Sequence, residues 1–185
     1  MTIRKIAFAS VIAAVYAALT IGLSFMSYGH FQFRVAEALC VLPFFFPFSI
    51  WGLFVGCILA NAFNPLGFVL LDIIFGSLAT LLAALCTMFL GKLGRDKLSF
   101  KILACFPPVF FNAIIIGLVI AFFSVGQGEA IFPLFIFNGA WVGLGELSVL
   151  YLLGLPLLIM LPKTGVFKHL TGILSQDVNS VPLSR

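Results

Sequence analysis

The chain has 185 residues, of which 63% are hydrophobic and 9% are charged, and its formal net charge is +4. Soluble globular domains carry about 25% charged residues. This composition, with a mean hydropathy of +1.25, therefore excludes that class and indicates an integral membrane protein. The length accommodates several spanning helices of about 20 residues each, but no further soluble domain of ordinary size. We therefore predict one all-α membrane domain over residues 1–185.

The first apolar run covers residues 6–26 and follows Arg4 and Lys5, as the core of a secretory signal does. A signal core has about 7 to 15 apolar residues, whereas this run is longer and further apolar runs follow it. We therefore predict a first membrane helix in this region.

Small residues form a stripe along this first helix. Ala9, Ala13 and Ala17 repeat at intervals of four residues, and this spacing lets the backbones of two membrane helices approach closely. Two interpretations are open, namely packing within the chain and docking of a separate membrane protein. A second row of small residues beside the first consists of Ser10, Ala14 and Ala18.

The second apolar stretch, residues 35–62, is either one tilted helix or a hairpin of two short helices at 35–47 and 48–62. Pro43 and Pro47 favour a break, because proline lacks the helix N–H donor and clashes with the preceding turn. Each half of such a hairpin is shorter than the ~30 Å hydrocarbon core. We therefore expect these two helices to be sloped or buried by their neighbours.

Basic residues decide between the two topologies, because lysine and arginine accumulate in cytoplasmic loops. With the hairpin, Arg4 and the basic cluster at residues 92–101 lie on one side, and Arg34 is the sole basic residue on the other. We therefore predict a six-helix bundle with cytoplasmic termini and a cytoplasmic tail at residues 162–185, frayed from Ser175. The predicted helices cover approximately residues 6–26, 35–47, 48–62, 68–91, 102–125 and 134–161.

Polar residues near or within the apolar segments are the candidates for function. An ionised side chain at the bilayer centre costs roughly 2.5 to 3.5 kcal/mol on insertion scales, so such residues normally face protein or a water-filled cavity. Pairing of Arg34 with Glu37 or Asp72 is one interpretation. The outer and central region holds one arginine and four carboxylates, however, so pairing cannot satisfy them all. These carboxylates are Glu37, Asp72, Glu129 and Glu146.

The surplus of carboxylates favours a cationic or donor-rich solute, because a carboxylate accepts two parallel N–H bonds, as from a guanine-like edge. Aromatic residues nearby can stack on a flat ring or a cation, with interfacial anchoring or packing as the alternative. These aromatic residues are Tyr28, Phe31, Phe33 and Trp141. The predicted solute-binding residues are Arg34, Glu37, Asn61, Asp72, Asn112, Asn138, Trp141 and Glu146.

The sequence contains none of several motifs for catalysis or nucleotide binding. It has no phosphate loop for ATP, no His-Glu-x-x-His helix and no Gly-x-Ser-x-Gly elbow. His30 and His169 are isolated, and the four cysteines stand singly in apolar runs, so we predict no metal, cofactor or disulfide framework. Three non-enzymatic functions stay open: solute capture for an importer driven by other subunits, a self-sufficient proton-coupled carrier, and a membrane scaffold.

Four segments together resemble the QueT family, at residues 31–39, 52–61, 72–84 and 143–156. The stretches Gln-Phe-Arg-Val-Ala-Glu-Ala-Leu and Asp-Ile-Ile-Phe-Gly-Ser are the most specific, because their polar residues are unusual in membrane spans. The family is identified with queuosine-precursor transport. Its members are substrate-binding subunits, or S-components, of energy-coupling factor transporters.

The resemblance implies a six-helix S-component in a bacterial plasma membrane that captures its solute from outside. The alanine stripe of the first helix would dock on a transmembrane coupling protein that two ATPase subunits drive. The implied solute is a 7-deazaguanine, such as 7-aminomethyl-7-deazaguanine, or queuine, and an S-component for another vitamin is the alternative. The implied lid is the first outer loop, with Tyr28, Phe31, Gln32 and Phe33.

Overall fold

The computed structural model describes residues 2–28, 32–64, 69–125 and 130–179. Within these ranges every regular element is helical, and no β-strand occurs. A helix satisfies its backbone hydrogen bonds within one segment, as the hydrocarbon core of a membrane requires. The all-α prediction is therefore confirmed for the described part of the chain.

The first half of the bundle contains two α-helices, α1 (Ile3–Gly22) and α3 (Ser49–Ala62), and a single helical turn, α2 (Ser24–Ser27). An extended stretch at residues 32–34 leads into a ten-residue 3₁₀ helix, Val35–Phe44, which precedes α3. The apolar stretch that follows α2 is thus divided into two short helical segments rather than forming one tilted helix.

The 3₁₀ helix contains Pro43 near its end, and the chain then turns at residues 45–48. A 3₁₀ helix rises about 2.0 Å per residue, whereas an α-helix rises about 1.5 Å. Ten residues therefore reach about 20 Å in this form, which is still short of the ~30 Å hydrocarbon core.

The next helices are longer. α4 (Val69–Leu71) continues through a π-helical turn, Asp72–Gly76, into α5 (Ser77–Gly94). α6 (Leu98–Ala104) then precedes α7 (Phe106–Ser124). Prolines occupy the first turn of α7. The backbone N–H groups of a first turn have no partner within the helix, so a proline there removes no helix hydrogen bond.

The last helical segment begins with α8 (Ile131–Val149) and passes through a second π-helical turn, Leu150–Gly154, into α9 (Leu155–Met160). A short 3₁₀ turn, Leu161–Lys163, joins it to α10 (Gly165–Asn179). Much of the predicted tail, residues 165–179, is thus helical, and its Phe167 and Leu170 pack on the end of the bundle.

Four helical segments of the described chain are long and apolar enough to cross a membrane, and the two parts of the hairpin are shorter. This finding supports a multi-pass membrane protein. The four segments are Ile3–Gly22, Asp72–Gly94, Leu98–Ser124 and Ile131–Lys163.

α1 and α3 pack closely and run in the same direction. Gly52 lies against the carbonyl oxygen of Ala9, and Gly56 lies against Ala13 and Tyr16, so the contacts advance along both helices together. A Cβ atom at Gly56 would lie 2.9 Å from the Ala13 carbonyl oxygen, too close for a stable contact. The glycines thus allow α3 to pack directly on the alanine stripe of α1.

α7 and α8 form a second close pair and run in opposite directions. A Cβ atom at Gly117 would lie 2.6 Å from the Cα atom of Gly139, and one at Gly139 would lie 2.8 Å from the Ala113 carbonyl oxygen. Small residues at such contacts allow the backbones of membrane helices to meet. This packing brings the polar residues next to these contacts, Asn112 and Glu146, close together.

The lysines and arginines of the described chain, apart from Arg34, gather at one end of the bundle. Arg4 donates from Nη1 to the Ile173 carbonyl oxygen at 3.0 Å, which joins the start of α1 to α10. Arg95 donates from Nη2 to the Phe45 carbonyl oxygen at 3.0 Å, and the Phe45 ring packs on Phe167 of α10. The other basic residues on the helices and connections that meet there are Lys5, Lys92, Lys97, Lys101, Lys163 and Lys168.

We expect replacement of Gly52 by alanine to lower the thermal midpoint of the purified protein in detergent. The added methyl group would overlap the Ala9 carbonyl oxygen, and overpacking of this kind costs typically about 1 to 3 kcal/mol. Gly22→Ala is the matched control, because nothing lies near a Cβ at that position and alanine is the better helix former. Equal midpoints for the two variants would contradict the close packing of α1 on α3.

Candidate functional site

Polar side chains gather inside the half of the bundle remote from the basic end. The phenol of Tyr28 marks this half, because its hydroxyl donates to the carbonyl oxygen of Ala60, near the end of α3, at 2.6 Å. Buried polar groups in a membrane protein normally face one another or a cavity. The buried members of this polar cluster are Arg34, Glu37, Asn61, Asn64, Asn112 and Glu146.

Glu37 lies in the 3₁₀ helix and is fully buried. Its Oε1 atom accepts a short hydrogen bond from the Tyr16 hydroxyl of α1, and its Oε2 atom accepts one from the Cys40 thiol at 2.9 Å. Arg34 approaches the same carboxylate, with 3.8 Å between Nη1 and Oε1. Both carboxylate oxygens of Glu37 are therefore occupied by groups of the protein itself.

Arg34 directly precedes the 3₁₀ helix in extended conformation and is 7% exposed. Its guanidinium carbon lies 5.5 Å from the centre of the Tyr28 ring, a geometry that attracts the cation to the aromatic face. The Nε atom of Arg34 makes no hydrogen bond to any described residue. One donor of this buried cation thus stays available.

Asp72 opens the first π-helical turn and is only partly buried. Asn61 donates from Nδ2 to the Asp72 carbonyl oxygen at 2.8 Å, and Asn64 donates from Nδ2 to the Asp72 carboxylate. Gly76 makes this arrangement possible, because a Cβ there would lie 2.6 Å from the Asn61 amide nitrogen. The Oδ1 atom of Asn61, a residue 1% exposed, has no partner among the described residues.

Glu146 of α8 and Asn112 of α7 lie side by side, and Glu146 is also within electrostatic range of Glu37 and Arg34. Both side chains are buried, at 1% and 4% exposure respectively. Oε2 of Glu146 and Nδ2 of Asn112 each lack a hydrogen-bond partner in the described part of the chain. The two side chains are close enough to interact with each other, but neither of these atoms makes a hydrogen bond of good geometry to a described residue.

Four buried atoms of the cluster are thus left without partners among the described residues, two of them donors and two acceptors. Leaving a buried polar group unpaired costs about 1 to 3 kcal/mol, and more for a charged group, so a protein rarely tolerates several in one place. Atoms of this kind can form hydrogen bonds to a polar molecule that has both donors and acceptors. The atoms are Arg34 Nε, Asn61 Oδ1, Asn112 Nδ2 and Glu146 Oε2.

Two of the predicted site residues have their nearest described contacts outside this cluster. Asn138 is buried but donates from Nδ2 to the Leu134 carbonyl oxygen of its own helix at 2.8 Å. Trp141 is 41% exposed and packs edge-on against Phe137. The other six predicted site residues all belong to the polar cluster or border it.

The predicted lid is described in part, since Phe31 lies outside the described residues. Gln32 is buried, and its backbone packs against Gly145 of α8, where a Cβ would leave no room. The backbone N–H of Phe33 donates to the Met26 carbonyl oxygen at 3.1 Å. The described part of this segment therefore packs against α8 at Gly145 and against the end of α2, and the ring of Tyr28 is buried.

The alanine stripe of α1 has a partner within the chain. Ala9, Ala13 and Ala17 are buried, and α3 packs against the first two of them. These alanines therefore pack within the chain, which is one of the two interpretations of the stripe. The second row of small residues remains exposed on the same helix and consists of Ser10, Ala14 and Ala18.

Two residues that hold the cluster together, Tyr16 and Cys40, are absent from the predicted site. A buried tyrosine hydroxyl usually finds a hydrogen-bond partner, so a tyrosine within an apolar helix is one signal of a polar interior. The spacing of Arg34, Glu37 and Cys40 is the other. Residues three apart lie in one row in a 3₁₀ helix. The sequence does not show that this segment adopts that form.

Comparison with known proteins gives the family. The sequence model of the QueT transporter family matches residues 6–163, which include the whole polar cluster. The chain belongs to the QueT transporter family. With several helices of membrane-spanning length, this member of the QueT family is a multi-pass membrane protein.

A curated relative, named queuosine precursor transporter QueT, comes from Lactococcus lactis subsp. cremoris strain MG1363. It is 42% identical over 74 residues, which are 39% of this chain and 42% of the relative. The matched region therefore spans less than half the length of that relative. No solved structure matches the chain.

We expect Gly76→Ala to destabilise the protein by about 1 kcal/mol, because the new methyl group would displace the Asn61 amide from the Asp72 carbonyl oxygen. In an Asn61→Ala background the same change should no longer destabilise, because alanine is otherwise favoured over glycine in a helix by about 1 kcal/mol. Thermal midpoints of the four proteins complete the cycle. A penalty of equal size in both backgrounds would show that Gly76 does not act through Asn61.

Proposed function

We propose that this chain is the substrate-binding subunit of an energy-coupling factor importer and captures a queuosine precursor from outside a bacterial cell. Membership of the QueT transporter family supports a transport role. The name of the Lactococcus lactis relative supports a queuosine precursor as the solute. The proposed solute class is 7-deazaguanines, such as 7-aminomethyl-7-deazaguanine, or queuine.

The observation that carries this proposal is the set of buried polar atoms without partners in the described chain. A guanine-like ring presents N–H donors beside a carbonyl acceptor on one edge. A carboxylate such as Glu146 accepts from two parallel N–H groups, whereas an amide or guanidinium nitrogen donates to a carbonyl. The mixture of two donors and two acceptors in the cluster therefore complements such an edge better than it complements a simple cation.

The partly buried carboxylate of Asp72 suits a cationic substituent on the same ring. It lies near the mouth of the cluster, where Asn64 holds one of its oxygens. An ammonium group is a donor without acceptor capacity, so a carboxylate is its natural partner. We assign the ring edge to the deeper residues and an aminomethyl substituent to the region of Asp72.

The distribution of charge supports capture from outside. If the basic end of the bundle faces the cytoplasm, as basic residues near membrane spans usually do, the polar cluster opens on the outer side. The segment around Tyr28 and Gln32 then covers the outer entrance as a lid. Both are buried in this arrangement.

The energy for uptake comes from partner subunits in this proposal, because the sequence has no phosphate loop of its own. The partners are a transmembrane coupling protein and two ATPase subunits. Since α3 covers the alanine stripe of α1, the exposed row formed by Ser10, Ala14 and Ala18 is the surface that we assign to the coupling protein.

We expect the purified protein to bind 7-aminomethyl-7-deazaguanine with submicromolar affinity in isothermal calorimetry. The panel includes its nitrile analogue, queuine, guanine and riboflavin. Binding confined to deazaguanines would support the proposed solute and rank the members of the class. No binding to any deazaguanine by protein shown to be folded would overturn the assignment, and binding of riboflavin alone would make the chain a subunit for another vitamin.

A self-sufficient proton-coupled carrier is the second candidate, because Glu146 is a buried carboxylate with one unpaired oxygen. We expect liposomes that contain this chain alone to accumulate no deazaguanine under an imposed proton gradient. Liposomes that also contain the coupling protein and ATPase subunits should accumulate it when ATP is enclosed. Accumulation by the chain alone would favour the carrier and contradict the subunit proposal.

A further inference from the structure

The two fully buried carboxylates of the polar cluster differ in their surroundings. Glu37 accepts hydrogen bonds on both of its oxygens, from the Tyr16 hydroxyl and from the Cys40 thiol. Glu146, by contrast, has an Oε2 atom with no partner in the described chain. The two carboxylates are therefore equally buried but differently engaged, because both oxygens of Glu37 already accept from groups of the protein, whereas Oε2 of Glu146 accepts from no described residue.

The partners of Glu37 are themselves inaccessible. Tyr16 and Cys40 are both 0% exposed, and Tyr16 is wedged against Gly56 of α3. A solute that displaced either group would have to leave a buried hydroxyl or thiol without an acceptor. Their hydrogen bonds therefore belong to the fold, and they fix the position of the Glu37 carboxylate.

The Glu37 carboxylate, fixed in this position, forms an ion pair with Arg34. Nη1 of Arg34 lies 3.8 Å from Oε1 of Glu37, the guanidinium carbon lies 5.5 Å from the centre of the Tyr28 ring, and the Tyr16 hydroxyl is also near the guanidinium. Two sides of the cation are thus engaged, while its Nε atom remains without a partner among the described residues. Glu37 can therefore affect a solute through Arg34 without touching the solute.

We propose that Glu37, Tyr16 and Cys40 form a positioning group that orients Arg34, and that Glu146 is the carboxylate that binds the donor edge of the solute. This inference rests on the proposed function. It divides the two acidic residues into one that acts through a neighbouring side chain and one that contacts the solute. It also assigns roles to Tyr16 and Cys40.

The test compares 7-aminomethyl-7-deazaguanine with the analogue that lacks the 2-amino group. Both are titrated by calorimetry into wild-type protein and into Glu146→Gln and Glu37→Gln. Wild-type protein should bind the analogue about tenfold or more weakly, as expected for the loss of one hydrogen bond to a charged acceptor. Glu146→Gln, which keeps one neutral acceptor oxygen in place of two charged ones, should clearly reduce the ratio of the two affinities. Glu37→Gln should weaken both ligands by a similar factor and leave the ratio unchanged.

A second measurement asks whether Glu37 acts through Arg34. In an Arg34→Ala background, Glu37→Gln should cause no further loss of affinity, because the group that it positions is gone. A purely structural role of Glu37 would lower affinity in both backgrounds. Tyr16→Phe provides the same comparison if Glu37→Gln does not fold. Tyr151→Phe is its matched control, since that hydroxyl bonds to the Ile102 carbonyl at the basic end.

Two substitutions of Cys40 test the role of its thiol, because serine retains a hydrogen-bond donor and alanine does not. Cys40→Ala should weaken both ligands, whereas Cys40→Ser, which retains a donor for Glu37, should restore most of the affinity. Cys105→Ala controls for loss of a buried thiol elsewhere.

The failures of the two proposals are distinguishable. Absence of deazaguanine binding by the wild-type protein overturns the proposed function and this inference together. If the wild-type protein binds but Glu37→Gln abolishes discrimination, or Glu146→Gln preserves it, only the division of roles is overturned. A wild-type ratio near one, or a full effect of Glu37→Gln without Arg34, overturns it as well.

Discussion

The polar interior depends on the 3₁₀ geometry of Val35–Phe44. With about three residues per turn, side chains three positions apart lie in one row, so Glu37 and Cys40 lie above one another, and Arg34 directly precedes this helix in extended conformation. In an α-helix residues 37 and 40 would be offset around the axis. The Glu37 carboxylate accepts from the Cys40 thiol and from the Tyr16 hydroxyl of α1, and Nη1 of Arg34 lies 3.8 Å from it.

Close helix packing supplies the second requirement, because it brings polar groups from separate helices to this row. Gly52 and Gly56 draw α3 onto α1, and Gly117 and Gly139 draw α7 onto α8. Small residues serve this purpose in membranes, where lipid is as apolar as the helix surface and association depends on close contact. The same apolar surroundings make an unpaired polar atom costly, and this is why the four atoms without partners among the described residues underlie the proposed function.

The two π-helical turns extend this arrangement. The first of them begins at Asp72, whose carbonyl oxygen accepts a hydrogen bond from Asn61. π-Bulges inside α-helices are frequent at functional sites, and this one lies at the polar cluster, whereas the second follows Glu146 by a few residues. Both turns lie within the region that matches the QueT transporter family.

The sequence by itself determined the membrane class, the α-helical fold and the choice of Arg34, Glu37, Asn61, Asp72, Asn112 and Glu146, because charged and amide groups are costly in an apolar segment wherever they fall. Only the tertiary structure decided which of them are satisfied internally. The 3₁₀ form of residues 35–44 cannot be read from periodicity, since its hydrogen bonds differ from those of an α-helix by one residue. The exposed position of Trp141, the internal use of the alanine stripe and the bonds from Tyr16 and Cys40 to Glu37 likewise depend on how helices distant in sequence meet.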